Sequence, residues 1–255
     1  VMKAIIVFCL GVFHFSTSLS ASDVTVCQTD KAKYQYRIEL ANLVLGKTAF
    51  RYGASKIISD LSNKDDPSQD RCVAGLMSGS VDLVYLPPTT QRLEDMDAIT
   101  IDIHNGMLGY RVFIIDQLNV DKFSRVKSLE DLRKFVGGFG SQWVDFEIFT
   151  LNDLPVVSVA RTDQLMKMLQ TGRFDYFHRG LNEAWAEVEE HKAQYPSLMV
   201  EQTIALVYDL PVYFMFNKTN TKLKERFELG LDIIRKDGSF RALFKKHFGY
   251  LDRTA

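Results

Sequence analysis

The sequence predicts an α/β protein built as two similar lobes. Short apolar runs typical of buried strands alternate along the chain with segments whose apolar residues recur at helical spacing. The pattern Leu-x-Ser/Thr-Gly-x-Val/Phe-Asp occurs at 76–82 and again at 169–175. In both places a helical stretch ends at glycine and leads into a strand. The alternation favours mainly parallel sheets. The repeat indicates two lobes on one plan, with a cleft between them.

Local signals place the elements in chain order. Asp70, Ser128 and Ser239 precede apolar stripes and are typical helix caps, whereas Gly79 and Gly172 follow such stripes and end them. The predicted strands are 24–27, 81–86, 111–115, 156–159, 174–177 and 212–216. The predicted helices begin near 36, 70, 128, 162, 182, 223 and 239.

The first residues have the layout of a secretory signal peptide. Met2-Lys3 is followed by an almost wholly apolar run over 4–15 and by small residues over 16–21. We expect cleavage near 20–22, so that 1–21 is removed and the mature protein is periplasmic. The alternatives are a buried N-terminal helix or a membrane anchor, although a span needs about 20 apolar residues.

Two cysteines remain after that cleavage, Cys27 and Cys72. An oxidising compartment permits a disulfide between them. Both could equally be buried thiols, one at the end of a strand and one at the start of a helix.

Composition and motifs argue against several function classes. The net charge of -1 gives no reason to expect nucleic acid or an anionic membrane surface as partner. The sequence has no G-x-S-x-G, H-E-x-x-H, Walker loop or C-x-x-C pattern. We therefore predict no catalytic residue, no metal and no cofactor.

Four stretches, taken in order, resemble one family. Residues 76–84 resemble its "L-x-x-G-x-x-D" joint, and 89–92 resemble its "T-P-E-R" turn. Residues 128–141 resemble its "S-L-x-D-L-x-G-K-x-V-G-V-x-x-G-S" run, and 236–249 resemble its "D-G" and "F-G" ending. The chain is thus similar to the type II periplasmic solute-binding proteins, in particular to the bacterial extracellular family 3 that serves polar amino acid uptake.

The resemblance implies how the chain is divided. Lobe one would comprise 22–110 and 209–255, and lobe two would comprise 111–208. The crossings near 109–111 and 208–211 would form a hinge that closes the cleft.

The resemblance also implies a function. The protein would be a monomer without enzymatic activity that captures a small polar, carboxylate-bearing molecule, either an amino acid or an organic anion, for an ABC-type uptake system. Its other partner would be a membrane permease or receptor. The alternatives are a ligand-sensing subunit that docks on a membrane receptor and a dehydratase-like enzyme on the same fold.

Arg92 is the first candidate ligand-binding residue. In the family, the arginine of the "T-P-E-R" turn holds the ligand's carboxylate, which a guanidinium grips with two hydrogen bonds. Thr89 belongs to the same turn. The alternative is a solvated surface arginine in an Arg-Leu-Glu-Asp stretch.

A second group of candidates, Ser141, Gln142 and Trp143, follows a glycine-rich strand. If Gly140 leads directly into a helix, free backbone N–H groups there could bind an anion, and the glycines would let a ligand approach closely. The alternative is a tight turn in which Ser141 caps the helix. Trp143 could line a pocket or fill the core.

A third group comes from lobe one. The family often stacks an aromatic from the region of Tyr34 and Tyr36 on its ligand, and either tyrosine could instead pack in the core. Asp30 could receive a ligand ammonium or cap the next helix. Tyr110, in the first crossing, is included among the candidates.

Lobe two departs from the family's pattern at Gly180. The amino acid binders usually place an acidic residue there to pair with the ligand's amino group. This chain has His178 and Arg179 there instead. If Arg179 converges with Arg92 and a helix N-terminus on one cleft, an anionic ligand is favoured over an α-amino acid. The alternative is an ion pair between Arg179 and Glu183, four residues on.

Overall fold

In the computed structural model, the described residues are 22–28, 34–59, 67–141, 143–159 and 164–251. They form two α/β lobes, as predicted. The expected signal peptide, Asp30 and Gln142 lie outside the described residues. Within these ranges, no helix combines the length and the apolar character needed to cross a bilayer.

Lobe one contains two small sheets. Strand β1 (Val24–Val26) pairs in parallel with β2 (Ile57–Ser59), and the second sheet has the order β3 (Val84–Leu86), β11 (Tyr213–Phe216), β4 (Asp97–Ile99). Its helices are α1 (Gln35–Lys47), α2 (Ala49–Tyr52), α3 (Gln69–Ser78), α4 (Thr90–Asp95), α10 (Thr221–Lys236) and α11 (Ser239–Phe248).

Lobe two surrounds one larger sheet. Its strands are β5 (Tyr110–Asp116), β6 (Gly137–Gly140), β7 (Val156–Val159), β8 (Tyr176–Gly180), β9 (Leu198–Val200) and β10 (Leu206–Val207). They lie in the order β10-β5-β8-β6-β7, and β9 also pairs with β5. Its helices are α5 (Val120–Phe123), α6 (Leu129–Leu132), α7 (Phe146–Leu151), α8 (Leu165–Gln170) and α9 (Ala184–His191).

The expectation of mainly parallel sheets is wrong. Strands β1–β2, β6–β7 and β6–β8 are parallel, but β5 is antiparallel to all its neighbours and β11 is antiparallel to β3 and β4. The two exceptional strands follow the two places where the chain passes from one lobe to the other. Each of these two sheets thus contains one strand, β5 or β11, that runs opposite to every strand paired with it.

The internal repeat marks the same joint in both lobes. Gly79 and Gly172 end their helices with φ of 78° and 67°, a backbone region that side chains disfavour. Asp82 exchanges two bonds with Thr25: its Oδ2 accepts from the Thr25 N–H at 2.8 Å, and its own N–H donates to the Thr25 carbonyl. Asp175 makes the same two bonds with Val136. The motif therefore fixes each helix–strand joint to the neighbouring strand.

Two predicted caps are displaced by a residue or two. Ser68 rather than Asp70 caps α3, since its hydroxyl accepts from the Arg71 N–H at 3.2 Å. At α11 the cap position is Gly238, and Ser239 is the first helical residue. Ser128 caps α6 as predicted, accepting from the Asp131 N–H.

Cys27 and Cys72 form a disulfide. Their Cα atoms are 5.3 Å apart, and both residues are buried in an apolar cluster of lobe one. The bond joins the end of β1 to the first turn of α3. Of the two interpretations that the sequence left open, the disulfide is confirmed.

Candidate functional site

A cleft of about 520 Å³ lies between the two lobes. Lobe one lines it with Asp70, Val73, Thr89, Gln91, Arg92 and Asp95. Lobe two lines it with Ser141, Trp143, Val144, Phe146 and Glu147. Another depression, of about 470 Å³, is lined by lobe-one residues alone, around Asp102 and Arg235. The interlobe cleft is the candidate site because both lobes contribute to it, and ligand pockets occur preferentially at the interfaces between domains.

Arg92 is buried at the wall of this cleft. It is only 8% exposed, so the interpretation as a solvated surface arginine is wrong. Its Nη1 donates to the Pro87 carbonyl at 2.8 Å and its Nη2 donates to Gln69 Oε1 at 2.9 Å. Both acceptors are uncharged, so they hold the guanidinium in place without neutralising it. Burial lowers the pKa of Arg92, and the negative charge of Asp70 opposes that shift in part.

Thr89 positions Arg92 as well as lining the cleft. Its hydroxyl accepts from the Arg92 N–H at 3.1 Å and thereby caps α4. This bond satisfies one of the free N–H groups of the helix start. The predicted turn thus places Thr89 and Arg92 side by side at the cleft.

The expected anion site after β6 is not formed as predicted. Helix α7 begins at Phe146, not directly after Gly140. The N–H groups of Ser141 and Trp143 donate to the carbonyls of Val159 and Gly140 at 2.9 and 3.0 Å, so they are already used. Ser141 and Trp143 nevertheless line the cleft.

The glycines of β6 accommodate aromatic rings. A Cβ at Gly137, Gly138 or Gly140 would lie 2.9, 2.3 or 2.6 Å from the rings of Tyr176, Phe174 and Trp143 respectively. These distances are too short for any side chain. The strand is glycine-rich because of core packing, and the interpretation that its glycines admit a ligand is wrong.

Arg179 is paired inside lobe two. Its guanidinium forms a two-pronged contact with the Glu187 carboxylate, with Nε to Oε2 at 2.8 Å, and its Nη1 is 3.6 Å from Glu183. It also lies over the rings of Trp143 and Phe177, at 5.3 and 5.5 Å from their centroids. The ion pair with Glu183 that the sequence offered as an alternative is present, and Arg179 is not among the residues that line the cleft.

Glu183 occupies the space beside Gly180. The Gly180 N–H donates to Glu183 Oε2 at 3.2 Å, and a Cβ at Gly180 would meet that oxygen at 3.3 Å and Asn182 Oδ1 at 2.8 Å. The carboxylate beside the Gly180 backbone thus comes from Glu183, three residues further along the chain. This carboxylate is flanked by Arg179 and by Arg111, whose Nη1 is 3.9 Å away.

The tyrosine candidates do not share one environment. Tyr36 is buried in the core of lobe one, where its hydroxyl donates to the Ile103 carbonyl at 2.6 Å. Tyr34 is partly buried, and the Arg37 guanidinium lies 5.9 Å from its ring centroid. Tyr110 is 47% exposed and pairs with Val207 across β5 and β10. None of the three is among the residues that line the cleft.

A buried polar network behind the cleft wall was missed by sequence reasoning. One oxygen of Asp145, Oδ2, accepts from Arg111 Nη2 at 2.8 Å and from the Tyr208 hydroxyl at 2.8 Å. His178 Nε2 lies 3.2 Å from the same oxygen. The partners lie 33 to 63 residues away in sequence, so no local pattern announces them. The one available signal is an acidic residue within the aromatic stretch 143–149.

The protonation states of this network follow from burial and pairing. Burial alone would raise the pKa of Asp145, but the hydrogen bond from His178 and the positive charge of Arg111 hold it below its usual value. Burial lowers the pKa of His178, and its contact with the Asp145 carboxylate opposes that shift. Asp145 is therefore an ionised carboxylate that is held by Arg111, Tyr208 and His178.

Solved structures share this fold. A histidine kinase sensor domain with similarity to periplasmic binding proteins matches at a TM-score of 0.68 and 17% identity, covering 91% of this chain and 97% of that one. An amino acid ABC transporter substrate-binding protein from Streptococcus pneumoniae, bound to L-arginine, matches at 0.64 and 18% identity, covering 89% and 94%. An ancestral amino acid-binding protein, described as a precursor of cyclohexadienyl dehydratase, matches at 0.59 and 15% identity, covering 90% and 96%.

No protein-family model and no curated protein matches the chain. At the identities of the solved structures, the likeness shows the fold. The chain has the two-lobe periplasmic-binding-protein fold, which confirms the fold predicted from the sequence.

Proposed function

We propose that this protein is an exported solute-binding protein that captures a small carboxylate-bearing molecule in the interlobe cleft. The observation that carries the proposal is Arg92, a buried guanidinium held at the cleft wall by two uncharged acceptors. A ligand carboxylate would add to the partial compensation that Asp70 provides, through short, charge-assisted hydrogen bonds. The opposite wall offers Trp143 and Phe146 for the apolar part of a ligand.

The charges of the cleft favour an amino acid over a simple organic anion. Its lining has one guanidinium, Arg92, and three carboxylates, Asp70, Asp95 and Glu147. The hypothesis of an anionic ligand depended on Arg179 converging with Arg92, but Arg179 is paired with Glu187 instead. A ligand that carries an amino group as well as a carboxylate would meet both kinds of charge, whereas a dianion would face three like charges.

Export and a membrane partner belong to the same proposal. The first 21 residues have the layout of a signal peptide, which supports export, and the disulfide suits an oxidising compartment. Closure of the two lobes would then present the loaded protein to a permease or a receptor, by a hinge at the two crossings. The limits 22–110 with 209–255, and 111–208, remain our proposed lobe boundaries.

A thermal-shift screen of residues 22–255 tests the proposal. A ligand that binds only the folded state stabilises it by about 2.7 kcal/mol at a hundredfold excess over Kd. We expect a selective melting-temperature increase with one or a few amino acids and none with dicarboxylates that lack an amino group. Arg92→Ala should weaken binding by roughly 100-fold, or about 2.7 kcal/mol, because a buried charge contact is lost.

The matched control is Arg71→Ala, which removes an exposed arginine of α3 outside the cleft lining. It should retain the affinity of the unmodified protein. The melting temperature of each variant without ligand separates a loss of binding from a loss of folding. Equal affinity in the Arg92→Ala and Arg71→Ala variants would overturn the assignment of Arg92.

A further inference from the structure

The segment around Asp145 has one side in the cleft and the other in the interior of lobe two. Its neighbours Trp143, Val144, Phe146 and Glu147 line the interlobe cleft. The Asp145 side chain is turned inward and is only 2% exposed. The same short stretch of backbone therefore forms the cleft wall of lobe two and carries a buried charge on its reverse side.

The inward side of this segment meets both crossings of the chain. Arg111 lies at the start of β5, just after the first crossing, and Tyr208 follows β10 at the start of the second. Both donate to Asp145 Oδ2 at 2.8 Å, and Arg111 Nε also donates to the Tyr208 hydroxyl at 3.2 Å. Asp145, Arg111 and Tyr208 thus form a closed triangle of hydrogen bonds.

The crossings themselves are in tight contact. The Tyr208 N–H donates to the Gly109 carbonyl at 3.1 Å, and a Cβ at Gly109 would lie 2.1 Å from the Tyr208 carbonyl oxygen. The two crossing segments are therefore joined by a backbone hydrogen bond and by close packing. A triangle of bonds anchored on them transmits a change in their direction to the segment that carries Asp145.

We propose that Asp145 is a positioning residue that couples the cleft wall of lobe two to the two interlobe crossings. A hydrogen bond is sensitive to both distance and angle, so one oxygen that accepts from both crossings fixes the wall relative to them. A shift of the cleft wall would then accompany a change in the angle between the lobes. A solute seated against Trp143 would bias that angle, and this last step rests on the proposed function.

The coupling itself can be tested without any solute. Leu93 on α4 and Leu151 on α7 are 45% and 75% exposed and lie on the two helices that flank the cleft. Spin labels on Leu93→Cys and Leu151→Cys, with the native disulfide intact, report the distribution of interlobe distances by pulsed electron resonance. Tyr208→Phe removes one hydroxyl from the triangle and keeps the ring.

Tyr176→Phe is the matched control, because Tyr176 is a buried tyrosine of lobe two outside the triangle. We expect Tyr208→Phe to shift or broaden the distance distribution by about 2 Å or more, a change of the size seen in domain rearrangements. Tyr176→Phe should leave it unchanged. Asp145→Asn, which keeps the shape of the side chain, should act in the same direction as Tyr208→Phe.

Two results would overturn the proposal. One is an unchanged distribution in both Tyr208→Phe and Asp145→Asn, with melting temperatures that show folded protein. The other is an equal change in Tyr176→Phe, which would indicate general loosening of lobe two. Since no solute is present, either result leaves the assignment of Arg92 untouched, and failure of the solute screen leaves this test valid.

Discussion

Replacing Asp145 by alanine is expected to destabilise the protein by about 3–5 kcal/mol, the usual cost of removing one partner of a buried ion pair. Arg111 is itself buried, and its Nη2 donates to the Asp145 carboxylate at 2.8 Å. Without that carboxylate, Arg111 is left with the Glu183 carboxylate, which is 3.9 Å away. The measurement is the free energy of unfolding from urea denaturation.

The matched control is Asp232→Ala. Asp232 forms an ion pair with Lys236 at 2.7 Å on the exposed face of α10. Such surface pairs contribute about 0–1 kcal/mol. If the two alanine variants lose similar stability, the network behind the cleft wall is not the buried charge pair that we describe.

Removing the disulfide is expected to cost about 4 kcal/mol. Cys27 and Cys72 are 45 residues apart, and a cross-link over a loop of that length restricts the unfolded chain by roughly this amount. In a protein of this size, each kcal/mol lowers the melting temperature by about 2–4 °C. Cys27→Ala combined with Cys72→Ala should therefore melt roughly 8–16 °C below the unmodified protein.

Thiol titration provides the control for this prediction. In denaturant without reductant, residues 22–255 of the unmodified chain should have no reactive thiol. Reductant should lower the melting temperature of that chain and leave the doubly substituted variant unchanged. Two reactive thiols in the unreduced, unfolded chain would contradict the disulfide.

Local sequence patterns predicted the features that local interactions determine. The glycines at 79 and 172 and the aspartates at 82 and 175 act within one helix–strand joint, and the repeat revealed that joint twice. Thr89 caps the turn that carries Arg92 over a separation of three residues. Such short-range geometry leaves a readable spacing in the sequence.

Features that depend on distant packing were missed or misread. The glycines of β6 suggested a ligand site, but Phe174 and Tyr176 on the neighbouring segment explain them. The sequence left either a ligand or Glu183 as the partner of Arg179. Its closest partner in the structure is Glu187, eight residues on. Asp145 contacts Arg111 and Tyr208 across sequence separations of 34 and 63 residues, through the topology of the lobe-two sheet. No pattern in one sequence encodes those encounters.

The most direct test of the central claim is equilibrium dialysis of residues 22–255 against an equimolar mixture of amino acids and small organic acids, with mass spectrometry of what the protein retains. We predict that one or a few amino acids are retained at up to one molecule per chain, and that the Arg92→Ala variant, folded by its melting curve, retains none of them. Retention of nothing by the unmodified protein, or equal retention by both proteins, would contradict the account.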